Sequence, residues 1–470
     1  MNIRTKVILL LALVLVSVLL VTSCGEEPPY EEYDENGYRV SVRYDANGGI
    51  LTDGVSIIMD TYSLGSLPEK NGVKVIQLTD PENVAVRGDV NKFVPDRNGY
   101  SFVGWYAERT EVIDENGNVT YKYSKKWDFK KDRLEVDPNG EYSSSNPVIT
   151  LYAGWVPNVT VEFYLLSNPN LLVGTKENIV AGGTIDVPRW DVNMNDMFMG
   201  DFPEIDGRTY IAAYTDPEGK NRITGETLTH TGIVDDENLT VENPVMKVYV
   251  DAWAGEWNYV YSYADFYRHK ASNGSGFENG FDLEGNYVVM ADIDFLEIPS
   301  VDPTLIPNVY YTWEQSNVTG AFSGKLVGIT KDNGERVKIM NVNFTQAYYT
   351  PPKYNGLFGE ICAGAVIENI DFENIIMNID QGSRAMSVGY GLLAGKIDKN
   401  ATINNVSLTG TIKISASCMF NKGGQIMIGL VCGDGYNHEI DYSGVTVEQI
   451  GTRPGFGIEV IKDSVYVNLP

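Results

Sequence analysis

Two pairs of carboxylates stand two residues apart in strand-like surroundings, Asp292 with Asp294 and Asp371 with Glu373. Side chains at i and i+2 of a strand face the same side. Each pair therefore offers two carboxyls to one surface, the chemistry a glycosidase or polysaccharide lyase needs as acid and base. The same geometry suits a plain solvated face in a chain with 63 acidic residues, and both readings stay open. Tyr310, Tyr311 and Trp313 make an aromatic cluster able to stack on a sugar or a partner. The turns Asp34-Glu35-Asn36-Gly37, Asp114-Glu115-Asn116-Gly117 and Asp332-Asn333-Gly334 carry enough oxygen for structural calcium. None has EF-hand spacing, and ordinary hairpin turns account for them. Three histidines leave little material for zinc or for a triad. Cys362, Cys418 and Cys432 are odd in number and lack metal-ligand spacing, so they read as small buried apolar residues. No phosphate loop, dinucleotide fingerprint, HExxH or nucleophile elbow is present. The sequence thus assigns no catalytic residue, metal or cofactor.

Cys24 is a different case. It follows a charged start with Arg4 and Lys6 and an apolar run, Val7 to Val21, broken only by Ser17. This is the layout of a secretory signal, and the run is shorter than the roughly 20 apolar residues of a spanning helix. The residues Val21-Thr22-Ser23-Cys24-Gly25 resemble the lipobox of bacterial lipoproteins. That resemblance implies cleavage after residue 23 and lipidation of Cys24, giving a lipid anchor in the cell envelope. Two or more acyl chains hold stably where one does not, since each buried methylene adds about 0.8 kcal/mol. Residues 24–37, acidic and carrying Pro28 and Pro29, read as a flexible tether. Glu26-Glu27 resembles the acidic export tag that sends Bacteroidetes lipoproteins to the outer surface.

The formal charge of −27 falls by a further two when the segment bearing Arg4 and Lys6 is removed. Such a chain repels nucleic acid and anionic headgroups and is compatible with neutral sugars or cations. Abundant Tyr, Val, Ile, Thr and Asn, with 47 glycines and no long helical period, predict a mainly β protein.

Residues 38–156 hold four blocks in order: Tyr44-Asp45-Ala46-Asn47-Gly48-Gly49, Gly99-Tyr100-Ser101-Phe102-Val103-Gly104-Trp105-Tyr106, Trp127-Asp128-Phe129 and Leu151-Tyr152-Ala153-Gly154-Trp155. They resemble the Listeria-Bacteroides repeat, or internalin B-repeat, which implies a small β-grasp-like module of surface proteins. The stretches between Gly49 and Phe93 and between Glu108 and Trp127 are longer than the usual repeat. Trp105, Trp127 and Trp155 are expected to fill one core; an aromatic sugar-binding platform is the alternative. Residues 157–254 repeat the pattern weakly. Val159 to Tyr164 opens it, Gly207 to Tyr214 lies over the GYSFVGWY block with Ala213 for its tryptophan, and Val245 to Trp253 closes it. This is expected to be a degenerate second module, and two in series make a spacer.

In residues 255–470 a short motif returns. Gly320 to Leu326, Gly356 to Ile361 and Gly391 to Ile397 each precede an Asn-bearing strand: Lys338 to Phe344, Val366 to Phe372 and Thr402 to Leu408. Asn341, Asn369 and Asn405 take the same place in this alignment, at spacings of 28 and 36 residues. One copy cannot bury its apolar side alone, but stacked copies can, which predicts a right-handed β-solenoid (β-helix)-like domain with an asparagine ladder at a corner. The copies resemble the GLUG-type repeat of bacterial surface and adhesion proteins. The final stretch, Glu459 to Leu469, is expected to cap the open end.

The expected architecture is therefore one or two β-grasp-like repeat modules followed by a solenoid. The expected function is that of a non-enzymatic, extracytoplasmic cell-surface lipoprotein that binds a glycan or a surface protein. A carbohydrate-active β-helix enzyme and a purely structural envelope protein are the competing readings.

Overall fold

The computed structural model describes residues 33–34, 37–51, 54–81, 95–140, 142–143, 145–191, 196–262, 265, 268–270, 277–279, 282–295, 321–346, 353–379, 387–417, 425–435 and 439–468. Cys24, the signal segment, most of the tether, Cys418 and the cluster Tyr310, Tyr311 and Trp313 lie outside them. The chain is mainly β and forms two compact units. Among the described residues, those up to 204 and 212–251 make the first; 205–211 and those from 252 onward make the second. Residues 38–156 and most of 157–254 fall in the first unit. Among the described residues no helix is long and apolar enough to cross a membrane.

Two sheets of the same order lie in the first unit, apart from residues 208–211 and 252–254 of the later sheet, which fall in the second unit. In one, the strands are β1 (Gly37–Asp45), β2 (Ile57–Ser63), β3 (Tyr100–Ile113), β4 (Val119–Lys126) and β5 (Ile149–Pro157). The last strand, β5, lies between β1 and β3, parallel to the first and antiparallel to the second. In the other sheet, β6 (Val159–Leu165), β7 (Asn168–Ile179), β8 (Arg208–Tyr214) and β11 (Val245–Ala254) repeat the plan. There β11 lies between β6 and β8 and runs parallel to β6. A hairpin of β9 (Ile233–Asp235) and β10 (Thr240–Glu242) stands between β8 and β11 in the chain.

Alternation explains which face is buried. Val40, Val42 and Tyr44 of β1 face Trp105 of β3 and Leu151, Ala153 and Trp155 of β5. Tyr44 meets Trp105 edge to face at 5.3 Å, and Phe102 lies 5.5 Å from Trp105 and 5.7 Å from Trp155. Trp127 is partly buried against this cluster, and its backbone N–H donates to the Trp105 carbonyl at 2.7 Å. The turn after β1 is fitted to the closing strand. Trp155 Nε1 donates to the Ala46 carbonyl at 2.8 Å, and a Cβ on Gly49 would meet the Trp155 ring at 2.5 Å. In the second sheet Val161, Phe163, Val248 and Val250 are buried, Ala213 is buried where the first module has tryptophan, and Phe202 packs 4.7 Å from Phe163.

The second unit is a β-solenoid with three parallel walls. The first wall stacks β12 (Asn286–Val289), β13 (Ile293–Asp294), β14 (Lys325–Gly328), β15 (Val337–Met340), β16 (Asn343–Gln346), β17 (Val366–Ile379), β18 (Thr402–Ser415) and β19 (Ile440–Ile450). The second wall stacks Phe358–Ile361, Ala394–Ile397 and Cys432–Gly435, and the third stacks Ser387–Gly391 on Gln425–Gly429. Side chains of like position pile up inside. Tyr287, Leu326, Ile367 and Ile403 form one column, Ile339, Phe372 and Leu408 a second, and Phe344, Met377 and Ile412 a third. All are buried. Burying each such side chain is worth about 1.5–3 kcal/mol, so the stack of coils supplies a core that no single coil has.

The glycine motif has a steric reason. Where the third wall turns into the second, backbone packs on backbone. A Cβ on Gly391 would lie 2.2 Å from the Ala394 carbonyl oxygen, and one on Gly395 would lie 2.0 Å from Asn355 N. The residues between, Leu392, Leu393 and Ala394, are buried.

The final hairpin, Gly457–Ile461 with Ser464–Asn468, joins Gln425–Gly429 of the third wall in antiparallel fashion. Among the described residues β18 is the one strand partner of β19.

Candidate functional surface

The outward residues of the first wall are the candidate surface, because the carboxylate pairs and the asparagines converge there. Each carboxylate is held within the wall. Asp292 accepts from Lys331 Nζ at 3.0 Å and from the Lys338 backbone N–H at 2.9 Å. Asp294 accepts from Asn341 Nδ2 at 2.7 Å. Asp371 accepts from Ser407 Oγ at 2.6 Å and pairs with Arg336 at 2.5 Å, while Glu373 pairs with Lys338 at 2.8 Å. The hydrogen bond to Asp292 holds the Lys331 ammonium above its ordinary range, and that to Glu373 does the same for Lys338. Arg336 also reaches Asn405 Oδ1, so one guanidinium joins two later coils. A fork of fixed N–H donors suits that bridging.

The asparagines do not form the single column the sequence alignment implied. Met340 pairs with Glu373, so Asn341 lies under Asn374, and Glu368 pairs with Asn404, so Asn369 lies under Asn405. There are two corner columns. In one, Asn405 Nδ2 donates to Asn369 Oδ1 at 2.7 Å, and Asn369 Nδ2 to the Gly328 carbonyl at 2.8 Å. In the other, Asn374 Nδ2 donates to Asn341 Oδ1 at 2.7 Å. All four have positive φ, between 53° and 61°. Asparagine tolerates this left-handed backbone better than other residues with a Cβ. The misalignment has a local cause. The stretch Ile329 to Arg336 is inserted at the first corner of the earliest of these coils and displaces the later motif. The spacing Asn369 to Asn374 was the missed signal: it marks two corners within the single strand β17. Arg336, Lys331 and Lys338 carried no signal beyond being basic.

The Asp114 turn is closed by the chain itself, while Glu35 and Asn36 of the first calcium-like turn lie outside the described residues. Asp114 accepts from the backbone N–H of Asn116 and Asn118 at 2.8 and 2.7 Å and from Asn118 Nδ2 at 2.8 Å. These bonds, the Asn118 side chain first, hold its carboxyl below the usual range. Among the described residues no group of three or more His, Cys, Asp or Glu side chains can hold a metal ion. His230 is buried, with Nδ1 accepting from the Gly232 N–H at 2.9 Å and Nε2 donating to the Thr160 carbonyl at 3.1 Å. Cys362 and Cys432 are free thiols. Cys432 stands where Ala394 stands one coil earlier, a small interior position.

The wall therefore presents ladders of amide, hydroxyl and ion-paired groups. Asn404 Nδ2 donates to Glu368 Oε1 at 2.9 Å, Asn378 Nδ2 to Asn343 Oδ1 at 2.7 Å, and Thr411 bonds Thr446 at 3.0 Å. Compared with models of known families, with curated proteins and with solved structures, the chain finds no match.

Proposed function

We propose that the chain is a non-enzymatic cell-surface lipoprotein, anchored through Cys24, whose solenoid binds a glycan or a protein surface. The observation that supports this most is the in-register stack of the first wall. It repeats hydrogen-bonding side chains at the strand spacing of about 4.8 Å, with Asp292, Asp371 and Glu373 already paired with basic side chains. Such a surface is matched to a neutral, repetitive, hydroxyl-rich ligand better than to a polyanion. The lipobox-like start and the overall negative charge point the same way, outward from the cytoplasm and away from nucleic acid.

We read both modules of the first unit as β-grasp-like, the second a divergent copy of the first. Their shared strand order and their parallel first and last strands support this. The solenoid is read as right-handed, the hand favoured by crossovers between parallel strands. The engagement of Asp292, Asp294, Asp371 and Glu373 by neighbours in the wall weighs against the enzyme reading, because an acid–base pair must be free to face a scissile bond.

The test is a glycan array probed with the lipid-free chain from residue 25 onward. Binding that falls when Asn404 and Ser407 become alanine supports the reading. No binding to any glycan would leave a protein partner or a purely structural role. Labelling with a radioactive fatty acid tests the anchor, and an unlabelled Cys24 ends that part of the proposal.

A further inference from the structure

We propose that the β9–β10 hairpin is a strap that joins the two modules of the first unit into one rigid strut. The receptor for the strap is the outer face of the β3–β4–β5 sheet, opposite the tryptophan core. At the tip of the hairpin, Asp236 accepts from Tyr106 Oη at 3.0 Å and from Lys126 Nζ at 3.2 Å. The next residue, Glu237, uses its backbone carbonyl to accept the Tyr123 N–H at 3.0 Å. Leu239 is buried in a cluster with Tyr106, Tyr123 and Val156.

The strap is preformed. Asp235 accepts from the backbone N–H of Glu237 at 2.9 Å and of Asn238 at 3.0 Å, and from Asn238 Nδ2 at 2.7 Å. A turn ordered by its own side chain docks with little further loss of conformational freedom. Its place on β4 is also specific. β4 is the edge of its sheet, and an edge strand exposes N–H groups that need partners. The Glu237 carbonyl supplies one from the other module. The pairs Lys126–Asp236 and Lys122–Glu237 are half exposed, so the apolar cluster and the backbone bond carry most of the joint.

The linker is a second, independent observation. Val156 and Val159 are both buried, which leaves Pro157 and Asn158 between the modules. Asn158 is pinned to the first module, its N–H donating to the Gly99 carbonyl at 3.0 Å and its Oδ1 accepting from Ser101 Oγ at 2.5 Å. A chain with a two-residue, pinned connection and a strap across the joint has no hinge there. The strut follows from these contacts whatever the solenoid binds.

Hydrogen exchange on the full chain in detergent tests the strap through the Tyr123 amide. Tyr121 lies two residues away on the same edge of β4, so its outward amide is the internal reference. In the native chain the Tyr123 amide should exchange at least about tenfold slower than that of Tyr121. Leu239→Gly suits the positive φ of that position and removes the buried side chain. It should bring Tyr123 to the Tyr121 rate while the amides of β11 stay protected. Should β11 also lose protection, the paired change Tyr106→Phe with Lys126→Ala leaves the second module untouched and should still speed Tyr123 exchange several-fold. Equal rates at Tyr123 and Tyr121 in the native chain, or a Tyr123 rate that the paired change leaves unaltered, would overturn the strap.

Discussion

Asn374 donates from Nδ2 to Oδ1 of Asn341, one coil earlier, at 2.7 Å, and both residues hold a left-handed backbone. The same residue type thus does two jobs at a solenoid corner. Its backbone accepts the turn, and its side chain links coils.

Substitution separates those jobs at Asn369. Asn369→Ala loses both and should cost about 2–3 kcal/mol, from about 1–2 for the left-handed backbone and about 1 for the hydrogen bond. Asn369→Gly restores the backbone and should cost about 1 kcal/mol. Denaturant midpoints of the solenoid transition give both values. Equal losses for the two variants would mean that the backbone conformation contributes nothing.

The glycine seam makes a sharper prediction. A Cβ at Gly395 would sit 2.0 Å from a backbone nitrogen rather than against a flexible side chain, so no rotamer change relieves it. Gly395→Ala should destabilise by about 3 kcal/mol or more, at the upper end of overpacking costs. Gly364→Ala, with open space around it but a φ of 82°, should cost only the strain of its backbone, about 1–2 kcal/mol. Thermal unfolding of the two variants should rank them in that order.

The thiols should differ in reactivity. Burial pushes the Cys432 thiol up to about 11, and burial raises the half-buried Cys362 as well. Since the thiolate is the nucleophile, iodoacetamide at pH 8 should alkylate Cys362 first and leave Cys432 largely intact until unfolding. Mass spectrometry of the digested protein reads this. A thiol raised on folding contributes stability below its unfolded value of about 8.5, and that contribution is lost as pH rises toward 11.

Alkaline pH should act through the tyrosines too. Burial raises Tyr44, Tyr106 and Tyr287, with the neighbouring Asp236 adding to the effect at Tyr106. The unfolded chain ionises near pH 10 while these residues resist, so stability should fall progressively above about pH 10. Tyr106→Phe should reduce that fall, measured by denaturant titrations at pH 9 and 11.

In the first module, Trp105→Ala should cost about 3–5 kcal/mol, because the ring is fully buried between Tyr44 and Phe102. Trp127→Ala should cost less, since that ring is only partly buried at the margin of the cluster. Fluorescence-monitored unfolding gives the comparison, and equal costs would contradict the placement.

Much of this architecture was legible in the residues. Period-two alternation in Val40-Val42-Tyr44 and Val159-Val161-Phe163 identifies half-buried strands, because a strand turns alternate side chains to one face whatever surrounds it. The recurring Gly-Leu motif and the Asn-led strands identify stacked coils, since one coil cannot bury its own apolar side. Register is another matter. Nothing local to Lys338 to Phe344 states that Met340 pairs with Glu373 rather than with Glu368. The pairing is fixed by which inward side chains stack, Ile339 on Phe372 and Leu408, and by the inserted corner from Ile329 to Arg336. The strap was equally silent, for Asp235 to Asn238 reads as an ordinary acidic turn. Residue types and their periods specify a mainly β chain with stacked repeats. Which asparagines meet, which carboxylates are engaged and what covers Tyr106 are settled by packing in the folded chain, because those pairings join residues 33 to 130 positions apart and no local pattern encodes them.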